Sequence, residues 1–163
     1  MIFMRLFTGI NFTDEIKNDL MSIIETMRSQ VNANYTLRNN LHMTLVFIGE
    51  TNKNNEIISN LNKIKFEPFK IEFSGHGKFR DICWVGVKPN HTLTKLQNGI
   101  SEVLQIKPDY NFTPHITLAR EVSAEFEFDV PEMKMDVNTF DLMKSERING
   151  VLKYSVIATF HRS

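Results

Sequence analysis

Cys83 is the only cysteine in the chain. It has no intrachain disulfide partner, which fits a reducing compartment. Neither sign of charge is in excess, because 19 Lys and Arg balance 19 Asp and Glu. Proteins that grip long nucleic acid through many phosphates are usually basic. The balance argues against that class but leaves room for a ligand held by a few contacts. No stretch reaches the roughly 20 apolar residues of a membrane span. The opening MIFMRLFTGINF has neither the basic start nor the long apolar run of a signal peptide. C-x-x-C and H-E-x-x-H spacings are absent, so neither a metal nor a cofactor is expected. No low-complexity linker divides the chain. One folded domain over residues 1–163 is expected, cytoplasmic, monomeric and without an obligate protein partner. The hydrophobic fraction of 42% is ample for a core.

Against this plain background one phrase occurs twice. Residues 42–45 read His-Met-Thr-Leu and residues 115–118 read His-Ile-Thr-Leu. Each lies in an apolar run suited to a buried strand. Strand residues i and i+2 share a face. Each phrase therefore sets an imidazole beside a hydroxyl, aimed the same way. With five histidines in the chain, two both followed by x-Thr-Leu is roughly a one-in-a-few-thousand coincidence. The repetition favours a site over two unrelated core histidines.

The repeat extends beyond the motif. Residues 3–12 alternate as a strand. Thr13 caps a helix carrying Ile16, Leu20, Ile23, Ile24 and Met27 at helical spacing. An Asn-rich break over 32–40 leads to the first motif strand at 41–48. A second helix is predicted over 54–64. A strand at 69–74 should end where Gly75-His76-Gly77 bends the chain. The strand at 82–88 precedes a helix capped by Asn90, and Pro114 introduces the second motif strand at 115–120. Two more strands are predicted near 133–143 and 153–161. Strand, long helix and His-x-Thr strand thus occur twice. This predicts an α+β fold of two pseudo-symmetric lobes. Each lobe would be an antiparallel sheet with helices on its outer face, and the motif strands would meet in a central cleft.

Two histidines facing one another can divide labour, one accepting a proton while the other donates one. Threonine hydroxyls can donate hydrogen bonds to phosphate oxygens. That set matches hydrolysis of a phosphodiester. The paired motifs resemble those of the 2H phosphoesterases. NNLHMTLVFIGE and NFTPHITLAR are similar to the LigT-like RNA 2′,3′-cyclic phosphodiesterases, also called 2′-5′ RNA ligases. The resemblance runs from RLFTGINF through CWVGV to PHITLAR and covers nearly the whole chain.

The resemblance implies that His42 donates a proton to the leaving ribose oxygen and His115 accepts one from water. It implies that Thr44, Thr117 and Arg120 hold phosphate oxygens. The substrate would be an RNA or nucleotide end bearing a 2′,3′-cyclic phosphate, and the product a 2′-phosphate. In reverse, a 5′-hydroxyl in place of water would give a 2′-5′ linkage. Arg120 lies an odd number of residues from His115, so a bend or bulge after Leu118 is required if both are to share a face. The family often has a proline pair before the first motif, where this chain has Leu37-Arg38-Asn39-Asn40. Two other readings are a 2′-5′ oligoadenylate phosphodiesterase and a catalytically weak nucleotide-binding module. His76 reads as a turn residue, while His91 and His161 read as solvent-facing or bland. Trp84 reads as core, with base stacking as its alternative. Tyr110 and Phe112 are further stacking candidates.

Overall fold

The computed structural model describes residues 2–163. Strand β1 (Met4–Asn11) leads into helix α1 (Asp14–Arg28), then into the two-residue strand β2 (Asn34–Tyr35). A 3-10 turn at Arg38–Asn40 precedes β3 (His42–Thr51), the first motif strand. Helix α2 (Asn54–Leu61), strands β4 (Phe69–Phe79) and β5 (Ile82–Val87) and helix α3 (His91–Val103) follow. The second motif strand is β6 (His115–Arg120), and β7 (Met133–Val137), β8 (Thr139–Ile148) and β9 (Val151–His161) complete the chain. Both predicted caps form. The Thr13 hydroxyl accepts from the Ile16 N–H and the Asn90 side chain from the Leu93 N–H, satisfying a helix-end donor that would otherwise lack a partner.

The strands make two antiparallel sheets. One has the order β3-β1-β8-β9 and the other β2-β6-β5-β4-β7. Without β2 the orders correspond: motif strand, the strand that launches the long helix, a third strand and an edge. The predicted duplication is therefore visible in the topology, and β3 lies against β6 where the sheets meet. The halves also interlock. α1 approaches β6 and β7 of the second sheet, and α3 approaches β3 of the first. No helix among the described residues is long and apolar enough to cross a membrane.

Alternation along the motif strands separates core from cleft. Met43 and Leu45 are fully or almost fully buried, as are Ile116 and Leu118. His42, Thr44 and Thr117 are half-buried and His115 is exposed. Burying the apolar partner of each pair fixes which way the polar partner points.

Three expectations need correction. Residues 133–143 are not one strand. Met133, Met135 and Val137 are buried at period two, the phase slips at Asn138, and Phe140 through Met143 are buried on both faces. A strip buried on one face suits an edge, and a stretch buried on both faces suits an interior strand. β7 accordingly edges one sheet while β8 enters the middle of the other. Second, the 75–77 segment bends but does not end its strand, because a bulge between Phe73 and His76 lets β4 continue to Phe79. His76 is thus a strand residue, its ring stacked on Phe128 at 4.1 Å. Third, α2 ends at Leu61, short of Ile64.

Candidate active site

The two motifs share more than letters. In the β1–β3 ladder Gly9 pairs with Thr44 and Thr8 with Val46, skipping Leu45. In the β5–β6 ladder Trp84 pairs with Thr117 and Cys83 with Ala119, skipping Leu118. Each motif strand therefore bulges at the leucine of His-x-Thr-Leu. A bulge inserts one residue and reverses the alternation beyond it. Ala119, opposite buried Cys83, turns into the core, and Arg120 returns to the face of His115 and Thr117. This is the bulge that the spacing of Arg120 requires. The matching position after the first bulge is Phe47, 65% exposed and in ring contact with Phe7.

Each histidine is anchored by the same device. His42 Nδ1–H donates to the carbonyl of Asn40 at 2.7 Å, and His115 Nδ1–H donates to the carbonyl of Thr113 at 2.8 Å. A carbonyl only accepts, so Nδ1 keeps its proton in both charge states and Nε2 is the titrating atom.

The surroundings of Nε2 then diverge. His42 Nε2 lies 2.9 Å from the Thr44 hydroxyl, which donates to it when the ring is neutral. The His42 ring packs between Phe7 and Tyr154, each at 4.9 Å between centroids. Burial pushes its proton affinity below the ordinary histidine value. Its bond to Asn40 partly offsets this, and the charges of His115 and Arg120 add to the lowering. Those two charges reach His42 from β6, so the three groups gather across the meeting of the sheets. His115 is exposed, and its Nε2 has no partner among the described residues.

Asn40 organises the first motif from outside it. Its side-chain N–H donates to the Leu152 carbonyl at 2.8 Å, and its side-chain oxygen accepts from the Tyr154 N–H at 3.1 Å. The amide thus pairs with β9 as a neighbouring strand would, and it holds Tyr154 beside His42.

Comparison with known proteins decides the family. The model of the 2′-5′ RNA ligase superfamily matches residues 12–149. The chain belongs to that superfamily. Within it, the chain is 32% identical over 127 residues to an RNA 2′,3′-cyclic phosphodiesterase of Archaeoglobus fulgidus, covering 72% of each sequence. It is 29% identical over 163 residues to a Thermotoga maritima protein of the same name, covering 87% of each. E. coli LigT, crystallised with 3′-AMP, shares the superfamily fold. Its TM-score is 0.90 at 24% identity, over 100% of this chain and 99% of that one.

For this superfamily member the sequence pointed to the His-x-Thr pairs but not to the groups that tune His42. Phe7, Asn40 and Tyr154 come from three separate segments, and Tyr154 lies 112 positions beyond His42. No local pattern marks them. Asn40 left a faint signal as a polar residue on the doorstep of a motif strand, where it is only 7% exposed. Trp84, read as core, instead lies half-buried on the cleft face of β5. Phe112 packs against the core and Tyr110 is exposed. Among the described residues no group of three or more His, Cys, Asp and Glu is placed to hold a metal ion.

Proposed function

We propose that the protein hydrolyses 2′,3′-cyclic phosphodiesters at RNA or nucleotide ends to 2′-phosphates, using His42 and His115 as acid and base. The observation that carries the reading is the convergence of the two His-x-Thr strands, each with its Nε2 left as the titrating atom. The names of the relatives support the substrate class.

His115 Nε2 takes a proton from water as the water oxygen attacks phosphorus. The bond from phosphorus to the 3′ oxygen breaks, and His42 Nε2–H gives that oxygen its proton. The products are a 3′-hydroxyl and a 2′-phosphate. Thr44, Thr117 and Arg120 hold the nonbridging oxygens, where donors stabilise charge developing in the transition state. A 5′-hydroxyl attacking phosphorus in place of water, with the same P–O3′ bond breaking, gives a 2′-5′ linkage.

The donor role of His42 faces an obstacle, since burial holds its proton affinity down. A bound phosphodiester carries a negative charge, which favours the protonated ring. The Thr44 hydroxyl, which donates to neutral Nε2, is then released to donate to phosphate. Substrate binding thus charges the acid and frees a phosphate donor together. Because the site needs β3 and β6 at once, the two sheets act as one unit.

The test is incubation with nucleoside 2′,3′-cyclic monophosphates and a short RNA ending in a cyclic phosphate, in EDTA, with product isomers resolved. A 2′-phosphate from the wild type, lost in both His42→Ala and His115→Ala, is expected. Turnover of 2′-5′ oligoadenylate instead, or no turnover of either, would overturn the reading.

A further inference from the structure

We infer that β2 is a ledge for the RNA chain, on which the Asn34 amide binds the phosphate next to the reacting one. The inference deepens the proposed reaction and rests on it for where the reacting phosphate sits.

The two sheets match strand for strand except at β2, which lies on the outer edge of the motif strand β6. The first motif strand, β3, is itself an edge and has no such neighbour among the described residues. Register sets what the extra strand presents. Asn34 lies opposite Arg120, and Tyr35 lies opposite Ala119. Directly opposed residues share a face of a sheet. Ala119 is buried, so Tyr35 faces away from the cleft. Asn34 faces into it, beside the Arg120 guanidinium.

The backbone around Asn34 is tied down on all sides. The Tyr35 hydroxyl donates to the Val31 carbonyl, and the Arg28 guanidinium lies over the Tyr35 ring at 4.7 Å. The Thr36 N–H donates to the Leu118 carbonyl and the Thr36 hydroxyl to the Thr117 carbonyl, both at 2.9 Å. Upstream, the Asn32 carbonyl accepts from both the N–H and the hydroxyl of Ser123. The Asn34 side chain contributes nothing to this framework. It is exposed and makes no hydrogen bond among the described residues. A strand that only covered the edge of β6 would need no particular side chain there. A fixed backbone that aims an unused amide at a phosphate site suits a ligand contact.

An RNA end continues from its terminal ribose through a 5′ phosphate, one nucleotide from the cyclic one. Two strands flank β6. On one side β5 sets Trp84 and Gly86 against Thr117 and His115, an aromatic ring and a bare backbone. On the other, β2 sets an amide with two N–H donors against Arg120. Asparagine is among the residues that position nucleic acid through phosphate and sugar. A single neutral donor also suits a chain with no excess of positive charge, which carries no basic track for a long polymer.

Three substrates test this. They are adenosine 2′,3′-cyclic phosphate, the diadenosine dinucleotide ending in the same cyclic phosphate, and that dinucleotide with a neutral methylphosphonate linkage. The wild type should favour the normal dinucleotide over the other two in kcat/KM. Asn34→Leu should remove roughly three- to thirtyfold of that preference through KM and leave the mononucleotide unchanged. Asn34→Asp should lose at least as much, because a carboxylate has no donor and repels phosphate. A loss shared by the mononucleotide marks a structural role and overturns the inference. So does a wild type that treats mononucleotide and dinucleotide alike, a preference that survives the neutral linkage, or one that survives Asn34→Leu. If no cyclic phosphate is turned over, calorimetric titration with the 2′-phosphates of the mononucleotide and dinucleotide decides. A dinucleotide preference lost in Asn34→Leu would then support the ledge while removing the proposed reaction, and equal affinities would remove both.

Discussion

The two motifs are the same four-letter idea in two surroundings. Both bulge at the leucine, and both tie Nδ1 to the carbonyl two residues upstream. His42 is then enclosed by Phe7 and Tyr154 and bonded to Thr44, whereas His115 stands exposed, its Nε2 without a partner among the described residues. Duplication supplies two identical tools, and the neighbours make them unequal. Acid–base chemistry needs that inequality, because one ring must be charged while the other is neutral.

Removing either imidazole should have the largest effect. His42→Ala and His115→Ala should each lower kcat by about 10²–10⁴ with little change in nucleotide affinity. Steady-state kinetics beside a binding titration checks this, and near-full activity in either variant would end the two-histidine account.

Asn40→Ala should come next and should separate the motifs. Losing the amide leaves the Leu152 carbonyl and Tyr154 N–H without their side-chain partner. The expected loss is about 1–3 kcal/mol of stability by denaturant titration. Thr113→Ala, at the matching anchor of the second motif, should cost far less, since only its backbone carbonyl holds His115.

Threonine substitutions sharpen the contrast further. The Thr44 hydroxyl donates to neutral His42, so Thr44→Val should raise the His42 proton affinity in an NMR titration. Thr117→Val should leave His115 where it was. Equal shifts, or none, would mean that the bond between Thr44 and His42 does not set the difference.

The smallest effect is on stability against pH. His42 binds its proton less tightly folded than unfolded. Between the lowered folded value and the ordinary value of about 6.5, the unfolded chain holds more protons. Stability therefore falls as pH drops through that window and levels off below it. His42→Gln should flatten this part of the profile, and a steeper acid loss in that variant would contradict the sign.

How much of this could be read from the sequence follows from what is local. Thr13, Asn90 and the His-x-Thr spacing act within a few residues, and the elements they specify appear where expected. The Leu118 bulge was legible as a demand, because Arg120 could not otherwise share a face with His115. Its twin at Leu45 raised no such demand, since Phe47 carries no comparable chemistry. The switch of sheet at Asn138 was written in the odd spacing between Val137 and Phe140, but neither glycine nor proline punctuates MKMDVNTFDLM at the slip. Tyr154 and Phe7 reach His42 only through tertiary folding. Trp84 was misread because a tryptophan among valines looks like core until Gly77 and Gly86 beneath it are placed.

The division of labour is the central claim, and the leaving group tests it. A nucleoside 2′,3′-cyclic phosphorothiolate, with sulfur as the 3′ bridging atom, departs as a thiolate and needs little help from an acid. Its hydrolysis should be largely restored in His42→Ala and stay lost in His115→Ala. Restoration in His115→Ala instead would reverse the roles and make half-buried His42 the base.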